Sequence, residues 1–178
     1  MFARILFILP FLLMLIPTGN GGSEAAYMPL NDTAGTMEQA RMDSVRREAI
    51  TDSVITVAKQ SLGLPYRYGG NSPVTGFDCS HFVAHAFGAL GVILPCSSAG
   101  LVTEGTQVSL DEVRKGDLMF FKGRNSSSPR VGHVSLVIET SPGSIKMIHS
   151  TNRGVVIDEY YKMDYYKSRF LQARRIKY

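Results

Sequence analysis

A chain of 178 residues with 44% hydrophobic content is long enough for one domain with its own core. The net charge of +4 is mild, and it survives loss of residues 1–25 because Arg4 and Glu24 cancel; this balance suits an anionic polymer or surface partner and equally an ordinary solvated surface. Lys and Arg are scattered, with no zinc spacing and no aromatic ribonucleoprotein motif, which excludes the recognisable nucleic-acid modules.

The first segment reads as a leader. Met1-Phe2-Ala3-Arg4 gives a positive start, and Ile5 to Ile16 is an apolar run interrupted only by Pro10. That run is shorter than the ~20 residues of a membrane span. Pro17, Gly19, Gly21 and Gly22 then lead to Ser23-Glu24-Ala25, a small-x-small site for a signal peptidase. The expectation is a signal peptide over 1–25 and an exported mature protein with no stable membrane span; an uncleaved anchor is the alternative. No cysteine precedes Cys79, so a lipoprotein signal is excluded. In an oxidising compartment Cys79 and Cys96 could also form a disulfide.

Residues 26–43 are assigned to a linker and 44–178 to the domain. Tyr27, Pro29, Asn31, Asp32 and Gly35 mark a tether to about residue 36, and helical periodicity then carries on from Met37 to Leu62. Val54, Val57, Ala58 and Leu62 form its apolar stripe, and Gly63-Leu64-Pro65 stops it. A Gly- and Pro-containing loop delivers the chain to Asp78. From Cys79 to about Leu90 the spacing predicts a second helix, ended by Gly91. At 100° per residue, Phe82, Val83, Ala86, Phe87 and Leu90 fall within about 80° of Cys79, while His81 and His85 fall on the opposite side as surface residues. A weak helical pattern reaches Glu104. Strands are expected at Asp117 to Phe121, His133 to Thr140, Ser144 to Ser150, Gly154 to Asp158 and Phe170 to Ile176, with a hairpin at Ser141-Pro142-Gly143. Helices first and strands later is the pattern of an α+β domain with an antiparallel sheet.

Gly76-Phe77-Asp78-Cys79-Ser80 is the most informative run. A helix N-terminus and a nearby imidazolium both lower a thiol pKa, so Cys79, behind the N-cap Asp78, is expected to ionise readily. The amides of that first turn can face an oxyanion. His133 opens a strand and is the candidate base. The hairpin returns His149 to its neighbourhood as the candidate orienting residue. Cys79, His81 and His85 also have zinc-like spacings, but the two histidines point away from the cysteine, and no metal or other cofactor is expected. The tyrosines of Tyr160 to Tyr166 suit core packing better than a sugar-stacking surface.

Leu64-Pro65-Tyr66-Arg67-Tyr68-Gly69-Gly70, Gly76-Phe77-Asp78-Cys79-Ser80, Leu94-Pro95, Gly116-Asp117-Leu118-Met119-Phe120-Phe121, Gly132-His133-Val134 and Ile148-His149 together resemble the NlpC-type family of bacterial cell-wall cysteine peptidases. The resemblance covers roughly Val54 to Ile176. It implies a papain-like α+β fold, N-terminal helices on a five- to six-stranded antiparallel sheet, and hydrolysis of peptide bonds in peptidoglycan stem peptides or cross-links, in the periplasm or cell envelope. It assigns Cys79 as nucleophile, His133 as base and His149 as orienter, with the Tyr66 hydroxyl near the oxyanion and Asp78 and Ser80 lining the stem-peptide pocket. Two positions depart from the family pattern: His81 stands where Gly is usual, and Cys96 where Arg is usual. Cys96 raises the hypothesis of a silencing disulfide to Cys79. The alternatives are an amidase or acyltransferase using the same Cys–His pair, and a non-catalytic wall-binding module.

Overall fold

In the computed structural model, residues 33–178 are described; the leader assigned to 1–25, and the linker as far as residue 32, lie outside them. Helix α1 spans Thr33–Gln60. It begins before the expected Met37, so the stretch assigned to the linker is helical from Thr33 onward. Residues 35–49 are all exposed, and their helix is supported locally, by contacts such as Gln39 Nε2 to Asp43 Oδ1 at 3.0 Å. No apolar stripe was needed there, which is why periodicity did not reveal its start. From Thr51 the helix packs, with Val54, Ile55 and Ala58 buried. Leu62 falls beyond its end and is exposed.

A small antiparallel ribbon, β1 (Asn71–Ser72) with β2 (Gly76–Phe77), steers the chain into helix α2 (Cys79–Gly88). Gly76 sits at φ +103°, and a Cβ there would lie 2.3 Å from the Pro65 carbonyl oxygen, so only glycine fits. The predicted face of α2 is the buried one: Cys79, Phe82, Val83, Ala86 and Phe87. Leu90, expected on that face, is exposed because the helix stops at Gly88.

The remaining α-helices and strands are α3 (Ser98–Leu101), β3 (Thr106–Val108), β4 (Leu118–Lys122), β5 (Val131–Ser141), β6 (Ser144–Thr151), β7 (Gly154–Glu159), α4 (Asp164–Lys167) and β8 (Phe170–Arg175). The strands form a six-stranded sheet in the order β3-β8-β4-β5-β6-β7, every pair antiparallel. The α+β expectation therefore holds. Strand β3 has only three residues, two of them exposed, and left no alternating pattern to read.

Because strand side chains alternate, the sheet has two faces with separate cores. Phe120, Val134, Leu136 and Ile148 pack under α1 and α2 with Phe82 and Phe87. Met119, Phe121, Val137 and Met147 point the other way, beneath Tyr160 and Tyr166. The tyrosine-rich segment is thus divided: Tyr160 and Tyr166 are buried, as core packing required, while Tyr161 and Tyr165 are exposed.

Candidate active site

Asp78 caps α2 with one carboxylate oxygen and holds the Gly69 loop with the other. Oδ1 accepts from the amides of Ser80 (3.0 Å) and His81 (2.8 Å), and Oδ2 from Gly69 N–H (3.2 Å). Burial pushes this carboxyl up, but the backbone and ring of His81 and the Ser80 hydroxyl outweigh it and hold it below the usual range. Ser80 is buried, and its hydroxyl lies 2.9 Å from Asp78 Oδ1 and 3.1 Å from the Cys96 carbonyl. Asp78 and Ser80 were expected to line a substrate pocket. Their polar atoms bond within the protein, tying α2 to the Gly69 loop and to the Cys96 segment, with Asp78 half-buried and Ser80 buried.

Cys79 follows, 8% exposed. The backbone amides of Val134, of Cys79 itself and of Ser80 favour the thiolate form of its sulfur. The expectation of a readily ionised thiol is overturned: burial dominates, and with some help from the Asp78 charge it pushes the thiol up to about 11 despite those three amides. The helix-end effect is real but smaller than desolvation here. Cys96 is unbonded and exposed, so no disulfide joins it to the buried Cys79.

The Val134 amide puts the sulfur beside the strand residue next to His133. Pairing between β5 and β6 runs from Leu136↔Ile148 outward to the hairpin turn. His133 and His149 lie past that pairing, on the same face, in diagonal positions. Their rings meet there, with His133 Nε2 at 3.0 Å from His149 Nδ1. His149 is fully buried, and its Nε2 lies 3.0 Å from Asp158 Oδ2. Arg153 pairs with the same carboxylate oxygen. Tyr166 covers the two rings, stacked on His133 at a centroid distance of 5.8 Å and 5.0 Å from His149.

This series of contacts fixes the proton positions. The bond to His149 foremost, and Arg153 after it, hold the Asp158 carboxyl below the usual range against burial, so Asp158 accepts. His149 must then carry its proton on Nε2, leaving Nδ1 as an acceptor. His133 must donate from Nε2, which leaves its Nδ1 lone pair free. Burial and the neighbouring His149 push His133 down to about 3, with Asp158 opposing; burial also lowers His149, again against Asp158. Both rings rest neutral. A neutral imidazole with an unshared pair, one residue from the Val134 amide that acts on the thiol, can take the thiol's proton.

Asp158, Arg153 and Tyr166 were missed by sequence reasoning. The signal for Asp158 was available: the short turn at Asn152-Arg153 sets Thr151 opposite Gly154, and hence His149 opposite Val156 with Asp158 as the diagonal neighbour on the same face.

Tyr66 and His133 line a cleft of about 430 Å³ with Lys122, Arg124, Arg153 and Tyr166; Asp78, Cys79 and Ser80 are not part of that lining. The Tyr66 hydroxyl is pushed up by burial and then by the charges of Cys79 and Asp78, so it lies within electrostatic reach of the sulfur. His81 and His85, expected at the surface, are half-buried: His81 Nδ1 lies 3.0 Å from Asp78 Oδ2, and the His85 ring packs on Phe77 at 4.9 Å. Among the described residues no group of three His, Cys, Asp or Glu side chains could hold a metal ion.

The sequence profile of the NlpC/P60 family matches residues 63–175. The chain belongs to the NlpC/P60 family. It is 36% identical over 132 residues to the Gamma-DL-glutamyl hydrolase of Bacillus subtilis, covering 72% of this chain and 31% of that protein. Identity to the Murein DD-endopeptidase MepH of Escherichia coli is 31% over 152 residues, 82% of this chain and 52% of the relative. The chain thus spans about a third to a half of these curated relatives. The crystal structure of an NlpC/P60 family protein from Bacillus cereus superposes with a TM-score of 0.62 and 33% identity, over 70% of this chain and 39% of that one. The fold is the papain-like α+β fold of the NlpC/P60 domains. No helix among the described residues is long and apolar enough to cross a membrane.

Proposed function

We propose that this NlpC/P60 chain is an exported cysteine peptidase that hydrolyses peptide bonds in peptidoglycan stem peptides or their cross-links. The observation that carries the reading is the hydrogen-bonded series His133–His149–Asp158, which leaves a lone pair on His133, next in the strand to Val134, whose amide acts on the Cys79 sulfur. Cys79 attacks the acyl carbon as its proton passes to His133 Nδ1. The carbonyl oxygen becomes an oxyanion facing the Cys79 amide, since Asp78 takes the Ser80 and His81 amides, and the Tyr66 hydroxyl. The carbon–nitrogen bond then breaks, and the leaving amine takes the proton from His133. Water, deprotonated by the same ring, hydrolyses the thioester and restores the thiol. His149 holds the His133 ring and tautomer, and Asp158 does the same for His149.

The reading extends to the cell envelope as the place of action, to residues 1–25 as a cleaved leader and to 44–178 as the catalytic unit. It is favoured by family membership and by relatives named for murein and glutamyl bonds. Purified protein and its Cys79→Ala variant, incubated with peptidoglycan and followed by mass spectrometry of the muropeptides, test it. New fragments from the native protein and none from the variant are expected, and the fragment masses identify the bond cut. Identical spectra for the two proteins would overturn the proposal. The leader is checked by the N-terminal sequence of the exported protein, expected to start after Ala25.

A further inference from the structure

We infer that Lys122 and Arg124 are a specificity-determining pair that recognises a free carboxylate on the substrate close to the amide being cut. The inference rests on the peptidase reading above and names the chemistry its cleft selects.

The cleft lining contains Lys122, Arg124 and Arg153 and no Asp or Glu side chain. Arg153 is already committed to Asp158. Lys122 and Arg124 have no ion-pair partner among the described residues. Arg124 lines the cleft together with Tyr66 and His133, and its charge opposes the rise of the Tyr66 hydroxyl.

The backbone presents these cations from fixed positions. Pairing of β4 with β5 goes from Phe121↔His133 directly to Lys122↔Val131, so Gly132 is an extra residue. Such a bulge bends the strand and re-aims the neighbouring side chains, and here Lys122 joins His133 in one cleft. Gly132 and Gly123 sit back to back: a Cβ on Gly132 would lie 2.4 Å from the Cα of Gly123. No larger residue fits at position 132, which lies against Gly123 where the loop carrying Arg124 begins. The Lys122 amide is fastened in turn to the Arg169 carbonyl at 2.8 Å.

Unpaired cations in a cleft without carboxylates attract and hold an anion. A guanidinium forks onto a carboxylate through two parallel bonds, whereas a carboxamide offers it one acceptor oxygen and an NH₂ that meets donor with donor. Two groups in a stem peptide carry this chemistry: the α-carboxylate beside a γ-linked glutamyl carbonyl, on the acyl side, and the carboxylate of the diamino acid, on the amine side.

Four synthetic stem peptides distinguish the sources: both carboxylates free, the acyl side amidated, the amine side amidated, and both amidated. Native protein, Lys122→Gln, Arg124→Gln and the double variant are compared on each. In the native protein, amidation of the side that the pair reads is expected to lower kcat/KM about tenfold or more, chiefly through KM. In the double variant the free-to-amidated ratio falls to about one, and in the native protein it shrinks as salt is raised. A native protein that cuts all four peptides equally, or a ratio unchanged in the double variant, overturns the inference and leaves the peptidase reading standing. Calorimetry of Cys79→Ala with the same peptides makes the converse case visible. If it binds the free acid about tenfold more tightly while native protein cuts nothing, the inference holds and the peptidase reading fails.

Discussion

On the helix-covered face of the sheet, Phe82, Phe87, Leu118, Phe120 and Leu136 are removed from water entirely, and buried hydroxyls such as Ser150, bonded to the Phe77 carbonyl at 2.7 Å, are neutral and locally satisfied. On the opposite face His149 and Ser135 are just as deeply buried, and Asp158 is 9% exposed. Burying such groups costs several kcal/mol unless each finds a hydrogen bond. His149 uses both ring nitrogens and Asp158 accepts from two residues. Cys79 comes from the first face and His133 from the second, and the end of β5 is where the two faces meet. The comparison teaches a division of labour. The helix face makes the fold stable; the other face spends buried polarity on holding one ring in one tautomer.

The sharpest way to break that division is Asp158→Asn. An amide can donate to His149 Nε2, which reverses both tautomers and leaves His133 with its proton on the nitrogen meant to accept the thiol's. A fall in kcat of about 10³ or more is expected, roughly 4 kcal/mol of barrier, with the circular dichroism spectrum unchanged. Stopped assays on the purified variant measure it, and activity within tenfold of native would sink the tautomer argument.

Phe82→Ala probes the other face. Deleting a fully buried aromatic there should cost about 3–5 kcal/mol of stability by urea unfolding. Turnover per titrated thiol of the protein still folded should change by no more than a few-fold. A large drop in turnover would mean that the helix face also positions the sulfur.

How much of this was legible before any coordinates follows the same division. The helix face announces itself through spacing, since Phe82, Val83, Ala86 and Phe87 must recur at helical intervals to be buried together. The hairpin at Pro142-Gly143 and the strands around it were also readable, because turn residues punctuate alternation. Cys79, His133 and His149 were named from position alone, and their convergence follows from the hairpin. Asp158 was not named, because a carboxylate at a strand end looks like solvated surface until the register says which face it shares. The bonds that Asp78 and Ser80 make within the protein were hidden for a related reason: an N-cap and a pocket wall require the same residue types. The elevated thiol could not be read at all, because desolvation depends on what covers the sulfur.

A smaller effect is expected from Arg153→Gln. The Asp158 carboxyl titrates below its ordinary value, through His149 first and, after burial has opposed it, through Arg153. A carboxylate depressed by folding adds stability above its unfolded pKa, near ~4, and loses that contribution as pH falls through the folded value. Removing Arg153 raises the folded value. The variant should be less stable than native at neutral pH by at most about 1 kcal/mol, because the arginine side chain is 51% exposed. The difference should vanish in strong acid, where Asp158 is protonated in both proteins. Urea unfolding across the acid range checks the sign.

The finest test concerns the resting protonation of the pair where the two faces meet. With the thiol pushed up to about 11 and His133 down to about 3, moving the proton between them unaided costs on the order of 10 kcal/mol. Attraction between the resulting charges returns only about 4 kcal/mol at ~4 Å and an effective dielectric near ~20. Neutral thiol and neutral imidazole therefore win at rest, and the thiolate forms as the acyl carbon is attacked. Nitrogen NMR of labelled histidine at neutral pH should find His133 and His149 both uncharged, each with its proton on Nε2, and ultraviolet absorbance should find no thiolate. An imidazolium at His133 would show that the cleft is wetter than its packing implies. The Tyr166 ring stacked on His133 would then be the cover to question, and Tyr166→Ala the variant in which the charged pair should grow.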